Sequence, residues 1–469
     1  MAIWTKRVLA CAVGLGLALS AAPMVAAPSV YPTGTTIYDP DKAENGYTVL
    51  SILGAPAVVV IDMNGRVVKR WEDFNVSAGG PARVLPGGVV MASVGSNPGH
   101  QESTALVARD FDGNELWRFD RAEEITITRT EGEGDDAVTT EERLWSARQH
   151  HDWQRHDFPA GYYSPEFTPG MDGGRTLVLA HSSITDEAIA DVVLEDDRIY
   201  EVDASGRIVW DWHASEHIDE LGFNVAERNS IRRNGRRDGF DWFHVNSATW
   251  LGPNKWYDAG DERFHPDNVV ISSRQTSVVA IIDRDGDVVW QMGPDYADSL
   301  ATNTIGQIVG QHHAHIIPKG LPGAGNLMIF DNGGSGGYGD PTALSPTGMT
   351  NYRRHDSRVI EIDPVSMEVV WTYRASNFFA FNISGAQRLE NGNTLITEGP
   401  TGRIFEVTSD GDIVWEYLQA PATGGAFNSP AVYRAYRLPY DWIPQLDRPE
   451  EVALEAPEPG TFHVPGSMQ

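Results

Sequence analysis

The sequence predicts an all-β chain: a six-bladed β-propeller with four-stranded blades, closed by pairing of its C-terminal and N-terminal strands. Three observations predict it. A hairpin unit recurs six times, a further strand pair precedes most copies, and each end of the repeat region supplies one strand with no partner nearby in sequence.

Ahead of the repeats, Lys6 and Arg7 precede an apolar run from Val8 to about Leu19, and Ala-rich sequence continues to Ala27. A basic start, a short apolar stretch and small residues make a secretory leader, whereas a bilayer span needs about 20 uninterrupted apolar residues. Residues 1–27 are therefore expected to be removed from a periplasmic or secreted protein that does not span a membrane. The only cysteine, Cys11, lies in that leader, so no disulfide is expected to staple the fold. A formal net charge of −29 repels nucleic acid and anionic membranes, and no nucleic-acid partner is expected. An anionic small molecule would need a dense local set of donors to bind.

The recurring unit is an apolar run, an Asp, a Gly-containing turn and a second apolar run ending in an aromatic residue. It reads VVVIDMNGRVVKRW from Val58, ALVARDFDGNELWRF from Ala105, IYEVDASGRIVWDW from Ile199, VVAIIDRDGDVVWQM from Val278, VIEIDPVSMEVVWTY from Val359 and IFEVTSDGDIVWEY from Ile404. Each copy is two β-rich strands joined by a tight turn. Four copies place Trp at a constant distance after the turn glycine (Trp117, Trp210, Trp290 and Trp415), as expected for packing between blades. The Asp-rich turns resemble fragments of calcium loops, but none carries the closing Glu, and each falls where the hairpin needs a turn.

Before most hairpins stand two more strands, such as ARVLPGGVVMASV at Ala82, AHIIPKGLPGAGNLMIF at Ala314 and AQRLENGNTLITEG at Ala386. Together they make a four-stranded blade of about 45 residues. The first hairpin has only Tyr47 to Leu53 ahead of it, while AVYRAYRLP at Ala431 follows the last one. This C-terminal strand is expected to complete the first blade. The propeller is thus assigned to residues 28–445, and the Pro- and Glu-rich tail to 446–469.

The innermost strand of each propeller blade lines the axis, so polar groups at its start converge. Three successive blades open with histidine: QHHDW at Gln149, DWFHVNS at Asp241 and QHHAH at Gln311. Arg274 stands on the strand after the second of these. Neutral histidines bind transition metals, and His313 with His315 shares a strand face, yet Arg274 beside the cluster disfavours a cation there. Arginine with several imidazoles suits a tetrahedral oxyanion, and one imidazole can serve as a nucleophile. No metal and no cofactor is assigned.

These residues resemble the bacterial aryl-sulfate sulfotransferases that work without the nucleotide donor PAPS. The likeness runs from GTTIYDPDKAENGYTVLS to YRAYRLPYDWIP and is carried by HHDWQ, DWFHVNSATW, NVVISSRQTS, GQHHAHIIPKGLPGAGN and SGAQRLENGNTLI. The resemblance implies a six-bladed propeller that moves a sulfuryl group from an aryl sulfate donor to a phenolic acceptor through a sulfohistidine. It implies His312 as nucleophile, with His151, His244 and Arg274 holding the sulfuryl oxygens and Asn246 as a further substrate contact. QHHAH leaves His313 open as an alternative to His312; strand alternation is expected to put the two on opposite faces. Phe378, Phe379, Phe381, Tyr433 and Tyr436 are candidate walls for the phenol. The resemblance also implies an N-terminal dimerisation domain and a disulfide, neither of which is expected here because the first blade follows the leader almost at once and Cys11 is the only cysteine, so no oligomeric state is carried over. Two other functions fit the same cluster: hydrolysis of sulfate or phosphate esters, and capture of an anion or partner protein by a binding propeller.

Overall fold

Each Asp-turn hairpin folds because its turn satisfies itself. In four blades the turn aspartate accepts the amide of the residue four further on: Arg66 to Asp62 (2.9 Å), Asn114 to Asp110 (2.8 Å), Arg207 to Asp203 (3.0 Å) and Asp287 to Asp283 (3.0 Å). Thr408 takes that place in the last hairpin, accepting from Asp412 N at 3.2 Å. These turns fix the register of the two outer strands of each blade.

In the computed structural model six four-stranded antiparallel sheets form a ring. The structure describes residues 33–76, 80–131, 138–171, 174–296, 305–376, 378–421 and 429–456. The predicted leader and the end of the tail lie outside them. From axis to rim, blade I is Val432–Leu438, Tyr47–Ile52, Ala57–Ile61 and Val67–Glu72; blade II is Arg83–Leu85, Val89–Val94, Ala105–Arg109 and Glu115–Phe119. Blade III is Gln149–Arg155, Thr176–Asp186, Ala190–Val202 and Ile208–His213; blade IV is Val245–Trp250, Val269–Ser273, Val278–Ile282 and Val288–Met292. Blade V is His312–Ile316, Leu327–Asp331, Arg358–Ile362 and Val369–Tyr373; blade VI is Gly385–Arg388, Thr394–Glu398, Arg403–Val407 and Ile413–Leu418. The third strands Ala57–Ile61 and Arg358–Ile362 are buried throughout, while the outermost strands Val67–Glu72 and Val369–Tyr373 are mostly exposed or half-buried, with one buried residue each.

The ring closes as expected, with Tyr47 opposite Leu438 and Leu50 opposite Ala435. It also closes a second time, in a way the repeat did not reveal. Gly34–Tyr38 adds a fifth strand to the rim of blade VI, pairing with Ile413–Leu418, and Leu454 of the tail exchanges both backbone bonds with Tyr38 at 2.9 Å. The repeat tryptophans bridge the blades. In five of them the indole N–H donates to the hairpin turn of the next blade: Trp71 to Asp110 O, Trp210 to Arg284 O, Trp290 to Pro364 O, Trp371 to Ser409 O and, across the closure, Trp415 to Met63 O.

Long connections gather where the inner strands begin. A two-stranded hairpin, Glu123–Glu131 and Val138–Ser146, precedes blade III. A helix, Val225–Asn234, capped by reciprocal bonds between Asn224 and Glu227, precedes blade IV. Among the described residues no helix is long and apolar enough to cross a membrane.

Candidate active site

The three histidine-bearing inner strands do not begin as regular strands. His151 (φ +50°), His244 (φ +57°) and His313 (φ +52°) all adopt the left-handed conformation. In each blade the ladder to the second strand slips at that point, between Gln149 and Trp153, Val245 and Ser247, and His312 and His315. A left-handed non-glycine residue costs about 1–3 kcal/mol, and such strain persists where surrounding structure over-determines it. Gly80 is one such constraint: a Cβ there would collide with the His151 carbonyl.

The slip overturns the expectation that His312 and His313 face opposite ways. Both rings bond to the entrance of blade VI, at different levels: His312 Nε2 accepts Ile383 N–H at 3.1 Å, and His313 Nδ1 accepts Ala386 N–H at 3.3 Å. Alternation fails because the left-handed residue turns the chain between them. His313 lies among Tyr162, Tyr436 and His315, whose ring centroid stands 4.4 Å away.

The His312 tautomer follows from its partners. Nε2 accepts from Ile383, so Nδ1 carries the proton and donates to Asn332 Oδ1 at 2.8 Å, with Gly310 O at 3.2 Å. Burial, reinforced by the charges of Arg274 and Arg434, holds its pKa well below the usual histidine range. At neutral pH His312 is a neutral imidazole with its lone pair on Nε2.

Around it stand the other candidates. His151 and His244 meet edge to face at 4.8 Å. Burial first, then the neighbouring histidines, keeps His151 neutral. His244 Nδ1 makes a short bond to Asp241, whose carboxyl is lowered because the attraction of His244 outweighs its burial. His244 and Arg274 face an open cavity of about 640 Å³, which Arg236, Arg237, Asp241, Gln275 and Met349 also line. The Arg274 guanidinium makes no hydrogen bond or ion pair among the described residues, so a cation with its forked donors free stands at the cavity wall. Asn246 is fully buried; its Nδ2 donates to Gln311 O at 2.7 Å and its Oδ1 has no partner among the described residues. A smaller cavity of about 150 Å³, between Gln154, His156 and Trp250, lies at the far end of the inner strands and holds none of these groups.

Of the aromatic candidates, Phe378 is core, packed on Phe330, Tyr373 and Phe405. Tyr433 reaches the cluster, with its ring 6.0 Å from His151 and its hydroxyl donating to Asn246 O at 3.3 Å. Sequence reasoning missed three groups that act through the named residues. Asp241 stands three positions before His244, a spacing visible in DWFHVNS. Asn332 reaches His312 only through the pairing of neighbouring strands, and Arg434 enters on the closing strand, bonding Asp152 (3.1 Å) and Asn246 O (2.7 Å).

The profile of the arylsulfotransferase (ASST) family matches residues 151–417, more than half of the chain and every element of the cluster from His151 to His313. The chain belongs to the arylsulfotransferase family. Membership supports a transferase enzyme, with sulfotransferase activity on small-molecule substrates. No curated protein matches the chain. Similar solved structures include a protein of unknown function from Bacteroides caccae (12% identity, 84% of this chain and 98% of that one, TM-score 0.42) and a streptogramin B lyase (13%, 83% and 85%, TM-score 0.36). Likenesses this distant carry no argument about the family's chemistry here, which rests on the profile match and the site.

Proposed function

We propose that the protein moves a sulfuryl group from an aryl sulfate to a phenolic acceptor in two steps through His312. The observation that carries this reading is a neutral imidazole of fixed tautomer near an arginine that has no partner among the described residues and stands at an open cavity. In the first step the Nε2 lone pair of His312 forms a bond to sulfur as the bond from sulfur to the aryl oxygen breaks. The Ile383 N–H bond to Nε2 opens to free that lone pair. Charge on the sulfuryl oxygens meets the forked donors of Arg274 and a ring N–H of His151. His244, held by ionised Asp241, protonates the departing phenolate and later takes the proton of the incoming phenol. In the second step the phenol oxygen bonds to sulfur and the N–S bond breaks, restoring His312. In the same reading the leader at residues 1–27 places the reaction outside the cytoplasm.

Intact-protein mass after brief mixing with 4-nitrophenyl sulfate, without acceptor, tests it. The expected result is one added SO₃ unit that disappears with phenol and is absent from His312→Ala. Release of nitrophenolate without adduct or acceptor would indicate hydrolysis instead, and no release at all would indicate a binding propeller.

A further inference from the structure

Directly behind His151 three adjacent strands of blade III bring His150, His181 and Asp197 together, each at most 1% exposed. His181 and Asp197 are cross-strand partners, and His150 follows Gln149, which pairs with Ala180. The rings of His150 and His181 stack at 3.7 Å.

In Asp197 and His150 one polar atom is bonded and another is not, and in His181 neither ring nitrogen has a hydrogen-bond partner among the described residues. Asp197 Oδ2 accepts Val245 N–H at 3.0 Å, while Oδ1 has no hydrogen-bond partner among the described residues. His150 Nδ1 lies 2.7 Å from His151 Nδ1, while Nε2 is left over, 3.3 Å from Asp197 Oδ1. His181 turns Nδ1 toward Glu102 (3.4 Å) and Glu195 (3.5 Å), leaving Nε2 unbonded. One ligand atom from each of the three lies within 4.8 Å of the others. Buried polar atoms without partners are costly, and three converge here.

We infer that His150, His181 and Asp197 form a binding site for a divalent first-row transition metal such as Zn²⁺. Two imidazoles and a carboxylate are a fitting donor set, and the carboxylates behind His181 supply the outer contact that ligating histidines typically have. Charge argues the same way: of the buried carboxylates Asp197, Glu102 and Glu195, Arg148 pairs with Glu102 and His100 with Glu195 at 2.7 Å, which leaves Asp197 with no cationic partner among the described residues outside the histidine cluster. Ligand atoms around a tetrahedral zinc stand about 3.4 Å apart, so binding draws the three inward by about 1 Å and splays the stacked rings.

The site has a consequence at the axis, and this consequence alone rests on the proposed sulfuryl transfer. With metal on Nε2, His150 must carry its proton on Nδ1 and donate to His151 Nδ1. That places the His151 proton on Nε2, which stands 3.2 Å from the Gln101 side-chain amide and becomes a donor for a sulfuryl oxygen once that contact opens. Without metal, a His150 Nε2–H directed at Asp197 imposes the opposite tautomer on His151.

The test is metal content of the untagged protein after chelation and reloading with Zn²⁺ or Co²⁺. Expected are about one equivalent per chain retained through gel filtration and visible Co²⁺ bands without a thiolate transition. Asp197→Asn and His181→Gln should each lose at least about tenfold in affinity. Retention below about 0.1 equivalent with no cobalt spectrum, or unchanged binding in both variants, overturns the proposal. If neither variant folds, the wild-type stoichiometry and spectrum decide. If metal binding fails by these criteria, an SO₃ adduct formed by the same protein leaves the transferase reading standing.

Discussion

Asn332 Oδ1 stands 2.8 Å from Nδ1 of His312, and Asn332 is itself held by donating its amide to Ala380 O at 2.8 Å and Ile383 O at 3.0 Å. A buried imidazole has two neutral tautomers, and this contact selects the one with its lone pair on Nε2. Asn332→Ala removes the selection. Formation of the sulfuryl adduct should slow on the order of 100-fold with little change in KM, measured by single-turnover mass spectrometry.

Because the Arg274 guanidinium bonds nothing in the described fold, removing it should not unfold the protein. Arg274→Gln is expected to lower kcat/KM by about 100- to 1000-fold while leaving the melting temperature near wild type. Arg274→Lys restores charge without the fork and should recover only part of the loss. An equal loss of stability would show that the residue is structural.

Asp241 and His244 act as an acid only if the leaving group needs a proton. Asp241→Asn should therefore slow transfer from phenyl sulfate far more, by about 100-fold, than from 4-nitrophenyl sulfate, whose phenolate leaves unaided. Equal effects on both donors would remove the pair from proton transfer.

Acid should weaken the fold through its neutral histidines. Burial holds His315 down at about 4 and keeps His312 and His313 well below the usual range. Their folded pKa values lie below the unfolded one, so as pH falls below about 6.5 the unfolded chain takes up protons first. Stability is full above that value and is lost as pH falls toward 4. His315 alone contributes on the order of 3 kcal/mol over this window. Urea midpoints measured from pH 7 to 4 should fall steeply, and less steeply in His315→Gln.

The closure bond from Trp415 to Met63 O, 2.7 Å long, joins the last blade to the first in a protein for which no disulfide is expected. Trp415→Phe keeps most of the packing and loses the bond, for an expected cost of about 1 kcal/mol; Trp415→Ala should cost about 3–5 kcal/mol. Both are read from denaturant unfolding.

The sequence by itself determined what local chemistry determines. Asp turns and alternating apolar residues specify the six outer hairpins, and the unpartnered Ala431 strand, one short of a full blade count, implied the closure through blade I. Histidines at the starts of Gln149–Arg155, Val245–Trp250 and His312–Ile316 pointed to one end of the axis because inner strands must converge there. Tertiary structure decided the rest. Alternation of side chains breaks at His151, His244 and His313, where a left-handed residue and a slipped ladder re-aim the rings, and no local pattern encodes that slip. The partners of His312, the third-strand position of Asp197 opposite His181, and the fifth strand Gly34–Tyr38 depend on which strands lie side by side and in what register. Those are relations between residues far apart in the chain, fixed by packing around the ring.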